Sequence, residues 1–355
     1  MVFGGLLIGI LLTEFIVRMM GLPGDSDLLF NSPESSPIGL YVLDQQTRVV
    51  PASNFVTTIQ SLDYKVQLRT NAIGLRGPAP TEVKQTQWIA VGDSFTMAVQ
   101  VDETQTFAHL IGESTNKHLW NAGVDGYSTW QAAIRIQQIQ QQLPIKGILL
   151  TFFTGNDFHD NELFPVLKNH PLPGKAGEPI PRETTPAWRK LLLRYSYIYA
   201  RYRIWNHRKQ IQNQQGHFAK RWKDELSIFT SSGQNRLQGL SNQTAKALQN
   251  LKLVARNKPI MVAIAPPAFV IDQTRAGPTL SLVGLNPDEA TVDAPQQKII
   301  KILEDKQIPY CDLTPALREG QKTQQMYFSA DGHWTVAGHQ VVAKAITTCL
   351  QANQN

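Results

Sequence analysis

The chain has 355 residues, 42% hydrophobic and 17% charged, with 34 Lys+Arg against 28 Asp+Glu and a formal net charge of +6. That is a globular composition, at a length suited to one large domain with additions or to two domains. The mild basicity is too weak to argue for nucleic acid, and the sequence has no zinc-finger spacing, RNP-like aromatic motif or long Lys/Arg run.

Val2 to Val17 (VFGGLLIGILLTEFIV) is apolar apart from Thr13 and Glu14. A spanning helix needs about 20 apolar residues, with roughly 17 as the low end. Met19, Met20 and Leu22 extend the run if Arg18 snorkels. No small-residue A-x-A site follows, so residues 1–22 are expected to form an uncleaved membrane anchor. Arg18 after the run, read literally, would hold the remainder in the cytoplasm. One arginine is thin, and the expectation is an exported catalytic domain, periplasmic or extracellular.

Residues 23–85 are rich in turns. GLYVLD and YKVQLRT read as strands, and Asn71 to Pro80 as a loop broken by Gly74, Gly77 and two prolines. Together they suggest a small β apron. From residue 86 to 350 the pattern becomes apolar strands alternating with amphipathic helices. QWIAVG is a strand and Glu103 to Glu113 a helix. Leu119 to Val124 is a second strand, and Ser128 can cap a helix carrying Trp130, Ile134, Ile136 and Ile139. Gly147 to Phe153, Ile260 to Pro267 and IPYCDL are further strands, and a helix from Thr335 to Cys349 closes the chain. Near-continuous apolar strands of this kind, alternating with helices, imply an α/β fold with a parallel sheet covered on both faces and ligands beyond the carboxyl ends of the strands.

Residues 160–250 interrupt that scheme. After the proline-rich HPLPGKAGEPIPRETTP, Thr185 and Pro186 start a helix bearing Trp188, Leu192, Tyr195, Tyr199 and Tyr202. Basic residues are interleaved, among them Arg189, Lys190, Arg194, Arg201, Arg203, Arg208 and Lys209, and between Arg182 and Lys223 the one acid is Glu183. Two readings stand: a helix packed by its aromatics with a solvated basic face, or a surface for anionic lipid headgroups or an acidic glycan. QIQNQQG then reads as a loop. NDFHDNE holds Asp157, His159, Asp160 and Glu162; with one histidine and no HExxH-type spacing it reads as a polar loop opening the insertion, not as a metal site. Cys311 and Cys349 leave two options, a disulfide between the last strand and the last helix outside the cytosol, or two buried thiols.

Gly92-Asp93-Ser94 ends the first main strand, Asn121-Ala122-Gly123 the second, and Thr154-Gly155-Asn156-Asp157 the third; SADGHWTVAGH places Asp331 two residues before His333, just ahead of the last helix. A serine hydroxyl becomes a nucleophile when a base takes its proton, an imidazole suits that task near neutral pH, and a carboxylate can orient the imidazole. The oxyanion then needs preset donors, which a glycine backbone N–H and an asparagine amide can supply. Asp93 suits fixing the turn by hydrogen bonds, and His339, about a turn into the last helix, reads as structural.

These blocks, in this order, resemble the SGNH (GDSL-type) hydrolase superfamily, whose four letters fall here on Ser94, Gly123, Asn156 and His333. The resemblance covers about residues 86–160 and 255–350. The leading apolar helix and the N-x-x-G-x-R-G stretch (Asn71, Gly74, Arg76, Gly77) are similar to membrane-anchored bacterial members. The resemblance implies a three-layer α/β/α fold with a flavodoxin-like parallel sheet of about five strands, no metal or cofactor, and ester hydrolysis or acyl transfer. Ser94 would be the nucleophile, His333 the base and Asp331 its orienter. The oxyanion hole would come from the Ser94 and Gly123 N–H groups and the Asn156 side chain. Many members space the last pair Asp-x-x-His; the Asp-x-His here puts the orienting role of Asp331 in question. The implied partners are an acyl ester, a glycan among the candidates, and the membrane through the N-terminal helix. Acetyl transfer to a polysaccharide and a catalytically silent binding module are the rival readings.

Overall fold

The computed structural model describes residues 2–23, 37–77, 85–115, 117–180, 185–213 and 217–353, with Ala79 and Val83. Ahead of the main sheet the chain builds two antiparallel ladders. β1 (Tyr41–Asp44) pairs with β2 (Arg48–Pro51), and β3 (Val56–Gln60) with β4 (Lys65–Arg69). β4 shows why: Val66 and Leu68 are buried while Lys65, Gln67 and Arg69 between them face out, the period-two pattern of a half-buried strand. The expected strands GLYVLD and YKVQLRT are β1 and β4; their partners β2 and β3 are not among the expected strands.

The central sheet comprises β5 (Thr86–Val91), β6 (Lys117–Asn121), β7 (Gly147–Phe153), β8 (Ile260–Ala265) and β9 (Tyr310–Asp312), all parallel, in the order β6-β5-β7-β8-β9. This is the flavodoxin-like five-stranded sheet that the resemblance implies. Alternate residues of each strand enter different cores. Ile89, Val91, Ile148, Leu150, Val262 and Ile264 face one side; Trp88, Ala90, Leu149, Met261 and Ala263 face the other. Both faces are apolar because both are covered.

The helices are α1 (Val2–Met20), α2 (Ser94–Met97), α3 (Phe107–Thr115), α4 (Thr129–Gln140), α5 (Asp157–Leu167), α6 (Ala187–Tyr195), α7 (Tyr197–Gln212), α8 (His217–Ser227), α9 (Gln234–Ala255), α10 (Ala294–Asp305), α11 (Thr314–Gln321) and α12 (Val336–Ala352), with shorter turns between. α4, α9 and α10 cover the first face; α3, α11 and α12 cover the second. Ser128 caps α4 as expected: its Oγ accepts from the Gln131 N–H, and the Gln131 side chain accepts in turn from the Ser128 N–H. Cys311 on β9 and Cys349 on α12 form a disulfide that closes a 38-residue separation across the second face.

Four expectations need correction. The helix read from Glu103 begins as a 3₁₀ turn over Glu103–Gln105 and becomes α3 at Phe107. NDFHDNE is the first turns of α5, not a loop, because Asp157, His159 and Asp160 are buried on its inner side. The aromatic-basic helix is two helices broken at Ser196, whose Oγ accepts from the Tyr199 N–H and caps α7. The start of QIQNQQG is the last turn of α7; Gln214, Gln215 and Gly216 lie outside the described residues, as do Arg182 and Glu183.

The apolar amino terminus forms α1. Among the described residues, no helix is long and apolar enough to cross a membrane, so the spanning anchor is not found. The two charges that interrupt the run are used internally. Glu14 Oε1 accepts from the Tyr197 N–H at 2.6 Å and Oε2 from the Ile198 N–H at 3.2 Å, filling the unpaired donors at the start of α7. Arg18 donates to the Tyr195 carbonyl at 2.8 Å.

Candidate active site

The candidate residues sit at the carboxyl ends of β5, β6 and β7 and in the loop before α12. After β5, Gly92-Asp93 turns the chain into the single-turn helix α2. Asp93 is its cap, with Oδ1 accepting from the Phe95 N–H at 3.0 Å. Burial pushes the Asp93 carboxyl up to about 7. Asp93 therefore shapes the turn, as its sequence context suggested.

Ser94 Oγ lies 2.7 Å from His333 Nε2, and His333 Nδ1 lies 2.5 Å from Asp331 Oδ1. A carboxylate accepts only, so the network assigns the imidazole proton to Nδ1 and leaves Nε2 free to accept from the serine hydroxyl. The short Asp-x-His spacing reaches this geometry because Gly332 takes φ +78°, a left-handed turn that folds both side chains toward the nucleophile. Backbone bonds close that turn: Gly332 N–H donates to Phe328 O and Phe328 N–H to His333 O. The Phe95 ring packs on the imidazole, centroids 4.7 Å apart.

Burial pushes the Asp331 carboxyl upward, but attraction to His333 and hydrogen bonds from His333, Tyr64 and Gln100 outweigh it and hold the group below its usual range. Burial pushes the imidazole of His333 down; the charge and hydrogen bond of Asp331, with Asp93 and Asp125 nearby, outweigh it and raise the group above its ordinary value.

The apron contributes residues that the sequence reading missed. Tyr64 Oη donates to Asp331 Oδ2 at 2.8 Å, and Asp63 Oδ2 accepts from the Ala330 N–H at 2.7 Å. Both lie in the turn between β3 and β4, where an Asp-Tyr pair carries no local sign of a distant partner. Arg76, noted only as part of a motif, is buried and donates to the carbonyls of Met97, Ala98 and Val101. Those carbonyls terminate α2, where Ala98 is left-handed, so the guanidinium clamps the turn that presents Ser94.

β6 and β7 flank β5, so Gly123 and Asn156 approach Ser94's strand end from opposite sides. A Cβ on Gly123 would fall 2.2 Å from the Met97 nitrogen, so glycine is needed for β6 to press against the nucleophile turn. The Gly123 N–H donates to Asn121 Oδ1 at 3.1 Å, and Asn121 Nδ2 donates to Thr96 O at 2.6 Å. Gly123 is thus tied into the same turn. Asn156 caps α5 through its carbonyl, which accepts from the His159 and Asp160 N–H groups. Its side-chain Oδ1 is buried with no hydrogen-bond partner.

The acids of NDFHDNE do not converge on a metal: among the described residues no group of three or more His, Cys, Asp and Glu could hold one. Asp157 Oδ2 accepts from the Phe153 N–H, Glu162 pairs with Arg236, and burial pushes Asp160 up to about 8. His339, the rival base, is buried against Phe107 and Trp334, accepts from the Phe107 N–H, and is pushed by burial down to about 3. It is part of the core between α3 and α12.

Residues 229–355 match the family model described as an SGNH hydrolase-like domain, acetyltransferase AlgX. Among curated proteins, none matches the chain in sequence. Solved structures that resemble it include a lipolytic protein of the G-D-S-L family from Veillonella parvula, 13% identical, covering 74% of this chain and 96% of that one with a TM-score of 0.39. A catalytic mutant of the acetylxylan esterase Axe2 from Geobacillus stearothermophilus is 12% identical, covering 75% and 94%, also with a TM-score of 0.39. The matched family segment carries Asp331 and His333, and the first three strands of the parallel sheet in chain order lead into Ser94, Gly123 and Asn156; residues 229–355 are similar to an SGNH hydrolase-like domain, and the motif order of the preceding strands agrees with that likeness.

Proposed function

We propose that the chain is a serine esterase or acyltransferase that works through an acyl-enzyme on Ser94. The observation that carries this reading is the continuous chain Ser94 Oγ, His333 Nε2, His333 Nδ1, Asp331 Oδ1, with links of 2.7 and 2.5 Å. Ser94 Oγ attacks the acyl carbonyl while Nε2 takes its proton. Asp331 holds the imidazolium that results. The oxyanion is stabilised by the Ser94 N–H at the start of α2, the Asn156 amide and, once released from Asn121, the Gly123 N–H. Collapse of the tetrahedral intermediate breaks the ester C–O bond, and His333 returns the proton to the leaving alcohol. A second hydroxyl, from water or a sugar, then attacks the acyl-serine by the same route in reverse.

Transfer of an acetyl group to a cell-envelope carbohydrate is the second reading, favoured by the match of residues 229–355 to an acetyltransferase family. α1 is read as the contact with a membrane, supported by the exposure of Leu6, Leu7, Ile8, Leu11 and Phe15 along it. The Cys311–Cys349 disulfide supports a catalytic domain outside the cytosol.

The test is labelling with a fluorophosphonate probe and turnover of an aryl acetate, wild type beside Ser94→Ala and His333→Ala. Wild type alone should label, and each variant should lose about 10⁴-fold or more in kcat while keeping its circular dichroism spectrum. A folded wild type that neither labels nor turns over would support the silent binding module instead.

A further inference from the structure

From Thr185 to Asn213 the chain carries seven basic residues and no acidic one. α6 presents Trp188, Leu191 and Tyr195 to solvent, spaced three and four apart on one face and 62%, 60% and 53% exposed. α7 presents Tyr202 and Trp205 in the same way, 54% and 51% exposed, and Lys209 continues that stripe with its ammonium 4.0 Å from the Trp205 ring centre. Nothing about a packed helix requires this. The inner residues Leu193, Ala200 and Ile204 already fill its core side, so the exposed aromatics are a second face.

That face is fixed against α1. Glu14 caps α7, Arg18 donates to the Tyr195 carbonyl, and Arg201 donates to the Gly21 carbonyl at 2.7 Å. Both charges of α1 thereby bond to the helix pair, while Leu6, Leu7, Ile8, Leu11 and Phe15 stay exposed along it. Whatever covers α1 lies alongside α6 and α7.

We propose that α6 and α7 form an interfacial plate that binds the headgroup region of an anionic lipid bilayer, beside α1. This rests on the reading of α1 as a membrane contact. Tryptophan and tyrosine favour the headgroup level, where an apolar ring and a polar tip are both satisfied. Lys and Arg gain from the negative surface potential within a Debye length of it. The amphipathic pattern of aromatics with interleaved cations is that of an in-plane surface element. The catalytic loop is tied to the same assembly through the apron, where Gln60 donates to the Tyr195 hydroxyl at 3.0 Å on the strand that leads to Tyr64. The plate would thus hold the site at a set height above the lipid.

The full chain is titrated with phosphatidylcholine vesicles and with vesicles of phosphatidylcholine and phosphatidylglycerol at 7:3. Neutral-vesicle binding reports α1; the preference for anionic vesicles reports α6 and α7. Wild type should prefer anionic vesicles by about tenfold or more at low salt, and the preference should vanish at high salt and in Arg189→Gln/Lys190→Gln/Lys209→Gln. Brominated lipid should quench tryptophan fluorescence in wild type, and Trp188→Phe/Trp205→Phe should abolish most of that quenching. Neutral binding without anionic preference, or quenching unaltered in the double variant, would overturn the plate while leaving α1 at the membrane. Binding to neither vesicle would overturn both, and would turn this face toward a protein partner.

Discussion

Tyr64 Oη donates to Asp331 Oδ2 at 2.8 Å, joining a hairpin turn of the apron to the carboxylate proposed to orient the His333 imidazole, 267 residues along the chain. The other oxygen of the same carboxylate receives His333 Nδ1. Asp331 therefore has one oxygen for holding and one for work. A hydrogen bond to a charged group is worth about 1.5–3 kcal/mol. Tyr64→Phe should lower kcat by about tenfold with KM little changed, since about 1.4 kcal/mol is one decade in rate. Steady-state kinetics on an aryl acetate would measure it; an unchanged kcat would make Tyr64 merely a packing residue.

The pH dependence has a definite sign. His333 works as a base only when neutral, and Asp331 raises it above its ordinary 6.5. Activity should fall as pH drops through that raised value, so the acid limb of kcat/KM should lie above 6.5. Asp331→Asn removes the main raising influence. Its acid limb should move to lower pH and its kcat should drop by about 10³–10⁴-fold. A limb that stays in place would point to a different titrating group.

Asn156 offers a buried amide whose oxygen has no partner, at the end of the strand beside that of Ser94. Loss of one oxyanion donor costs about 10²–10³ in kcat. Asn156→Ala should show that loss at nearly constant KM, with the protein still labelled by a phosphonate. A change confined to KM would assign Asn156 to substrate binding.

The disulfide closes a separation of 38 residues between β9 and α12. In the chain-entropy view such a loop contributes about 4 kcal/mol, and measured values centre on about 2–4. Cys311→Ala/Cys349→Ala should lower unfolding stability by that amount in a urea titration, with little effect on the site, which lies at the other end of α12.

The sheet and the site read out of the sequence to different depths. Apolar runs such as GILLTFF and IMVAIAPP are long enough to mark buried parallel strands by themselves; the blocks after the first three central strands carried Ser94, Gly123 and Asn156, and the loop before the last helix carried His333. The β2 and β3 strands did not stand out: RVVP is only partly buried at three of its four positions and VTTIQ has one fully buried residue, so neither shows a marked alternation. α5 was misread because its first turn is Asp-Phe-His-Asp, polar residues that are buried only in the assembled fold.

The sequence by itself determined the succession of the central-sheet strands and the order of the motifs, and with them the candidates for nucleophile and base, because these follow from hydrophobic run length and from residues whose chemistry is local. Tertiary structure alone decided which carboxylate oxygen Tyr64 holds, that Arg76 clamps the turn carrying Ser94, that Glu14 caps α7, and that Cys311 meets Cys349. Each of these is a pairing across long separations, and no local preference of either partner specifies where the other will be. The one-residue gap between Asp331 and His333 left their contact open in sequence; the left-handed turn at Gly332 brings Asp331 Oδ1 to His333 Nδ1, because a backbone bend can do what an extra residue does elsewhere.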